Sequence, residues 1–401
     1  MPEAVIVATA RSPIGRAFKG SLVDVRPDDM TASMVKAVLG QVPQLAPSEI
    51  EDVMIGCGSP AGEQGFNIAR VVAVLSGLDD VPGTTVNRYC SSSLQTIRMA
   101  AHAIKAGEGD AFIAGGVECV SRYGNGASDG GNAANKEFAD AATRSAERAL
   151  GGSPPWSPPQ GLPDIYIAMG QTAENVRELE GVTRQEMDEF ALLSQQRAGA
   201  SMDNGFFERE IVPVTTPDGT VVSRDDGPRP DTTLEKLSQL KPAFRPDGEV
   251  TAGNSCPLND GAAAVVVMSD TRARELGVTP LARIVSTAVT GLNPEIMGLG
   301  PIEACRKAMA RAGMTIDDID LVEINEAFAA QVVPSARHLG ISWDKLNVHG
   351  GGIALGHPFG MTGARIMTTL LNGLESTGGT VGMESMCVGG GQGMAMIVER
   401  L

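Results

Sequence analysis

A chain of 401 residues is too long for one ordinary hydrophobic core, so two or three domains are expected. Its hydrophobic fraction of 42% and mixed charges read as soluble and globular; no stretch approaches the about eighteen apolar residues of a membrane span, and the start, Met1-Pro-Glu-Ala-Val-Ile-Val-Ala8, lacks the basic lead of a signal peptide, so a cytoplasmic protein is expected. A formal charge of −16 repels a phosphate backbone and excludes nucleic acid as a partner, while leaving room for a small anionic ligand on a local basic patch.

In chain order, an apolar strand over Ala4–Ala10 leads to a helical run through Met34–Leu39 and a strand ending Ser48–Ile55. After Cys90 come a helix over Ser91–Lys105 and a strand over Ala111–Ala114 closed by Gly115-Gly116. The composition then changes. Ser121–Pro163 is rich in Gly, Asn, Ala and Pro, with small residues concentrated around Gly124 to Asn135, and Gly and Pro at this density punctuate rather than build elements. A helix comes next over Thr183–Met202, opened by the capping-box pattern Thr183-Arg-Gln-Glu186.

The first pattern then returns. A strand over Ala282–Ala288, a helix through Ala304–Ala310 and a strand within Thr315–Ile324 repeat the opening, and a helix over Met361–Leu374 with a strand over Thr380–Met386 repeat the helix and strand after Cys90. Two similar halves are expected: 1–119 completed by 250–277, and 278–401, with 120–249 as an inserted lobe. Alternating strands and helices imply parallel pairing with right-handed crossovers. A pseudo-dyad between the halves would bring the Cys90 turn and the Gly356-His-Pro-Phe-Gly360 turn to one centre.

Of six cysteines, none forms a close pair in a chain of this size, so reduced thiols are the better reading. The four histidines show no metal-ligand spacing. Cys90, in Val86-Asn-Arg-Tyr-Cys-Ser-Ser-Ser-Leu-Gln95, sits where a strand gives way to a helix, whose free N–H groups stabilise a thiolate and an oxyanion. A cysteine in such a protein is more often simply buried. His357 titrates near neutrality and can take a thiol proton, although a structural histidine before proline is an equal reading from spacing alone. Cys387 opens Cys-Val-Gly-Gly-Gly-Gln-Gly, which lacks the lysine of a phosphate loop and, by itself, is a tight turn with an incidental thiol. Asn325 and Glu326 come directly after an apolar strand and could be a cap.

Together these motifs resemble the thiolases, from the first strand to the last residue. The resemblance implies a five-layered αβαβα core from two similar halves with an inserted loop lobe, and no cofactor beyond coenzyme A as substrate. It implies that Cys90 carries the acyl group, His357 is its base, Cys387 moves a proton at the substrate α-carbon, and Asn325 of Asn-Glu-Ala-Phe fixes a water at an oxyanion hole. Gly389 would lend its N–H to a second oxyanion hole with Cys90. Arg229 and Phe244, in segments similar to the family's CoA contacts, would meet the nucleotide and the pantetheine, with Met169, Ser255 and Cys256 beside the substrate. Three departures stand out. Cys256 replaces the usual serine, His349 the usual asparagine, and Ala168 the histidine of the acetoacetyl type. Arg88 resembles the degradative 3-ketoacyl type. The family also implies a homodimer or homotetramer acting on acyl-CoA and CoA.

Three rival readings fit less well. A dinucleotide-binding reading of Gly56-Cys-Gly58-Ser-Pro-Ala-Gly62 has the wrong spacing and a proline at the helix entry. A non-catalytic acyl-CoA-binding or lipid-transfer relative need not keep all three reactive groups. A decarboxylating ketoacyl synthase has no use for Cys387.

Overall fold

The computed structural model describes residues 2–124 and 134–401. Most of the small-residue run around Gly124 to Asn135 therefore lies outside the described residues. The first half comprises β1 (Ala4–Arg11), β2 (Gly15–Arg16), α1 (Pro27–Gln41), β3 (Val53–Cys57), α2 (Ile68–Leu75), β4 (Gly83–Val86), α3 (Ser92–Ala106) and β5 (Ala111–Cys119). Next come α4 (Ala139–Ala149), α5 (Met169–Glu180), α6 (Arg184–Asp203), the hairpin β6 (Val214–Thr215) and β7 (Val221–Val222), and α7 (Leu234–Ser238). β8 (Asn259–Ser269) and α8 (Asp270–Leu276) return to the first half. The second half holds β9 (Ala282–Gly291), α9 (Gly300–Ala312), β10 (Leu321–Ile324), α10 (Ala329–Leu339), α11 (Gly352–Leu355), α12 (Thr362–Thr377), β11 (Val381–Val388) and β12 (Gln392–Arg400).

The strands run in the order β10-β11-β12-β9-β1-β8-β5-β3-β4, with β2 beside β8. The repeat read from the sequence is visible as β4-β3-β5-β8-β1 against β10-β11-β12-β9. The bridge between Val322 and Leu346 stands where β4 pairs β3. The halves join at β1 and β9, antiparallel through Val5–Arg283 and Ile6–Ala282.

The expectation of parallel pairing needs correction. β3–β4, β3–β5 and β10–β11 are parallel, but β8 runs antiparallel to β1 and β5, and β12 runs antiparallel to β11 and β9. The reason is the connection. β11 and β12 are joined by the glycine turn Gly389–Gly391, with φ of 75° at Gly390 and 77° at Gly391, and a hairpin this short permits only antiparallel strands.

Three apolar clusters fill the spaces between five layers, one of them lying on both faces of the middle layer. α1 and α2 pack on the outer face of the first half, and α9 and α10 on that of the second. α3 and α12 lie between the two, burying Leu94, Ile97 and Ile104 against Ile366, Met367 and Leu370. Both central helices begin at the turns that carry chemistry, so the middle layer sets the site. The halves meet there without side chains: a Cβ on Gly116 would overlap the Gly360 carbonyl oxygen. The capping box at α6 forms as expected, with Glu186 accepting the Thr183 N–H at 2.8 Å. No helix among the described residues is long and apolar enough to cross a membrane.

Candidate active site

Cys90 lies in the single turn between β4 and α3. Tyr89 before it has a φ of 45°, an uncommon conformation for a residue with a side chain. Asn87 Oδ1 accepts the Tyr89 N–H at 2.8 Å, and Ser92 Oγ accepts the Arg88 N–H at 2.9 Å. Strain held in this way marks a turn with a task. The backbone N–H groups of Gly389 and of Cys90 itself favour the thiolate. Burial, with a smaller contribution from the Glu118 carboxylate, nevertheless pushes the thiol up to about 12. The resting sulfur is protonated and requires a base.

His357 is buried, with a neighbour at each polar atom. Its backbone N–H donates to Asn259 Oδ1 at 2.9 Å. Its Nδ1 lies 2.7 Å from Thr362 Oγ1, which already donates to the Pro358 carbonyl at 2.8 Å. The hydroxyl can therefore only accept from the ring, so Nδ1 carries the proton and Nε2 keeps its lone pair. Asn325 Nδ2 lies 3.2 Å from Nε2 and donates to it. Burial and then Arg365 hold the imidazole down at about 3, neutral at physiological pH.

Asn325 is fixed at the end of β10, its N–H on the Ser385 carbonyl at 2.9 Å, and its Oδ1 accepts no hydrogen bond among the described residues. Glu326 does not face the reactive groups. It accepts from Ser194 Oγ at 2.6 Å, Asn347 Nδ2 at 2.8 Å and the Ile353 N–H at 3.1 Å, tying α6 and α11 to the strand end. Cys387 lies within β11 rather than after it, fully buried, its thiol driven well up by burial and then by Cys90 and Cys256. All six cysteines are unbridged.

His349 belongs elsewhere. Its ring stacks on Phe206 at 3.5 Å and its Nδ1 meets Ser201 Oγ at 3.0 Å. Of the two histidines that the sequence left in play, only His357 meets Asn325.

Glu118 was not singled out from the sequence, although a lone acid in the run Ala111–Val120 was the available signal. It is fully buried at the end of β5, and its carboxylate accepts five hydrogen bonds from nitrogen and oxygen donors: the Gly58, Ser59 and Gly360 N–H groups, Gln64 Nε2 and Tyr123 OH, at 2.8–3.1 Å. It joins the first half to the turn after His357. It also occupies the N–H groups at Gly58 and Ser59 that a dinucleotide phosphate would need, and β3 leads into a short turn rather than a helix. Thr362 and Asn259, which hold His357, were also unread.

Met169 starts α5 and, like Phe244 and Cys256, borders the apolar cluster that contains Phe328. The Phe244 ring lies edge-on to Phe328 at 5.9 Å. The Cys256 N–H donates to the Ala327 carbonyl at 3.0 Å, and Ser255 Oγ to the Thr251 carbonyl at 2.6 Å. Ser255 also forms an antiparallel bridge with Phe328, so both peptides sit against the Asn325–Phe328 segment. Ser255 also lines a cavity of about 240 Å³ with Arg229, Arg16 and Lys236. Arg229 is exposed there, its N–H on Gln195 Oε1 at 2.7 Å.

This arrangement has relatives. Residues 4–271 match the model of the thiolase N-terminal domain and residues 278–400 that of the thiolase C-terminal domain. A β-ketoadipyl-CoA thiolase of Acinetobacter baylyi is 44% identical, and a 3-ketoacyl-CoA thiolase of Aeromonas hydrophila 45% identical, each over 410 residues covering 100% of both chains. The crystal structure of the Bacillus anthracis acetyl-CoA acetyltransferase superposes with a TM-score of 0.86 at 39% identity, covering 100% of this chain and 99% of that one. With both domain models matched nearly end to end and the two half-folds meeting at one centre, the chain belongs to the thiolase family of acyltransferases.

Proposed function

We propose that the chain is a 3-ketoacyl-CoA thiolase, cleaving 3-ketoacyl-CoA with CoA to acetyl-CoA and a shortened acyl-CoA. The observation that carries the reading is a buried His357 whose Nε2 keeps a lone pair towards Asn325, in a chain whose Cys90 thiolate is favoured by the N–H groups of Gly389 and Cys90. His357 Nε2 takes the Cys90 proton as sulfur attacks the keto carbon, and the resulting oxyanion is met by the Gly389 and Cys90 N–H groups. Breaking the Cα–Cβ bond leaves acyl-Cys90 and an acetyl-CoA enolate, which Cys387 protonates. The Cys387 thiolate then takes the proton of an incoming CoA thiol, whose sulfur attacks the acyl carbonyl and expels the Cys90 thiolate, which recovers its proton from His357. Asn325, with an unpartnered Oδ1 and an Nδ2 aimed at His357, stands where the enolate oxygen or its water is held. CoA lies along Phe244 and Met169, with its phosphates towards Arg229 and Lys236. No cofactor is required.

Ala168, exposed before α5, leaves room for more than an acetoacetyl group. A second reading has its own support. Arg88 Nη1 is held by Gln392 at 2.6 Å, and Arg88 and Arg98 share Gln95 at 3.0 and 3.4 Å; these acceptors are neutral and leave positive charge near the site for an acyl chain ending in carboxylate. Thiolysis rates for acetoacetyl-, 3-oxohexanoyl-, 3-oxooctanoyl- and 3-oxoadipyl-CoA separate the readings. Rising kcat/KM with length supports the first, since a buried methylene contributes about 0.8 kcal/mol. A preference for the adipyl over the hexanoyl ester supports the second. Acetoacetyl-CoA as the best substrate overturns both. An acetyl adduct on Cys90 after incubation with acetyl-CoA is expected, and one on Cys387 alone would reverse the two roles.

A further inference from the structure

The peptide of Asn325 is held by a side chain that the reaction scheme does not use. β10 ends at Ile324, so the Asn325 carbonyl is left to find a donor outside the strand ladder. Gln331 supplies it, donating from Nε2 at 2.6 Å. Gln331 sits in the first turn of α10, its own N–H on the Phe328 carbonyl at 3.1 Å. The start of the helix thus folds back along the strand end that carries Asn325, and one amide spans the gap.

Gln331 is completely buried, and its Oε1 has no hydrogen-bond partner among the described residues. A buried amide with one end unmatched is costly, and a methionine of similar length would fill the same space without that cost. What the amide adds is the donor to Asn325. The residue is also tightly placed. Ser335 Oγ donates to the Gln331 carbonyl at 2.6 Å. In the turn Pro294–Leu299, Gly298 comes so near that a Cβ there would lie 2.8 Å from Gln331 Cβ, which leaves the side chain no room to swing away.

We propose that Gln331 is a positioning residue that aims the Asn325 side chain at His357 and at the substrate. Asn325 has an anchor on either side of its Cα: its N–H lies on the Ser385 carbonyl at 2.9 Å, and its carbonyl receives Gln331. The two together fix the direction of the Cα–Cβ bond. With the second anchor gone, the backbone can turn and Nδ2 leaves its 3.2 Å contact with His357 Nε2. The proposal rests on Asn325 acting in the reaction, and the experiment separates the two.

The test is a double-mutant cycle read in thiolysis of 3-oxohexanoyl-CoA. Q331M keeps the length of the side chain and loses the donor. Its kcat is expected to fall about ten- to a hundredfold with little change in KM, the scale of a reacting group misplaced by about 1 Å. The final amount of acetyl adduct on Cys90 should stay that of the wild type; a yield that falls with kcat marks a merely structural role and overturns the proposal. N325A should lose at least as much as Q331M, and adding Q331M to N325A should change kcat by less than about twofold, because nothing is left to position. Should Q331M not fold, G298A, whose methyl group displaces Gln331, is read in the same cycle. A wild-type kcat in Q331M overturns the proposal. So does a further loss of about tenfold in the double variant, which makes the effect of Gln331 independent of Asn325. A wild-type kcat in N325A overturns the role of Asn325 itself, and this proposal with it.

Discussion

The Glu118→Gln substitution tests how the two halves are joined. The side chain keeps its shape, but one of the two acceptor oxygens becomes an NH2 donor. Three of the five hydrogen bonds fall on Oε1 (Ser59 N–H, Gln64, Tyr123) and two on Oε2 (Gly58 and Gly360 N–H). The less damaging amide orientation puts NH2 against the Gly58 and Gly360 N–H groups, leaving two buried backbone donors unmatched. At about 1–3 kcal/mol for each, the loss is about 2–6 kcal/mol. Urea denaturation should show it as a lower midpoint with an unchanged slope. A second effect has the opposite sense for the nucleophile. Glu118 raises the Cys90 thiol, so its removal makes the thiol more acidic, and alkylation of Cys90 by iodoacetamide should begin at lower pH. Activity should still fall, because Gly360 closes the His357 turn. An E118Q protein with the wild-type urea midpoint, or an alkylation profile displaced to higher pH, would refute the reasoning.

Thr362→Val keeps volume but removes the acceptor for the His357 Nδ1–H, freeing the ring to move its proton to Nε2; kcat/KM should drop by about a hundredfold, the low end of what a positioned base contributes, with little change in KM. Glu323 has a folded-state pKa raised to about 8, so the stability it contributes is complete at acid pH and is lost as pH rises through that value. Thermal stability should therefore fall between about pH 6 and 8, and Glu323→Gln should flatten that slope; a wild type that gains stability over this interval contradicts the assignment. Cys90→Ala should abolish acyl-enzyme formation, whereas Cys387→Ala should slow carbon–carbon cleavage and still accept an acetyl group, as mass spectrometry can show. Light scattering at micromolar concentration should give a dimer or tetramer, and a fully active monomer would remove the family expectation for this chain.

Local sequence was enough wherever one segment holds all the information. The Thr183–Glu186 box, the helix after Cys90, the glycine turn after Cys387 and the doubled strand–helix pattern are properties of neighbouring residues, and each formed near its expected place. The turns carrying Cys90, His357, Asn325 and Cys387 were legible for the same reason. Strand direction was not legible, because alternation shows that a strand returns but not along which neighbour. β8 reaches its place between β1 and β5 only after the long excursion through α4 to α7. The partners of the reactive groups were hidden most deeply. Glu118 meets Gly360 at a separation of 242 residues, Asn259 meets His357 at 98, and Asn325 meets His357 at 32. No local pattern specifies such contacts. They exist because α3 and α12 are pressed into one layer between the two half-sheets, and that packing fixed which histidine faces Asn325 and which of its nitrogens keeps the lone pair.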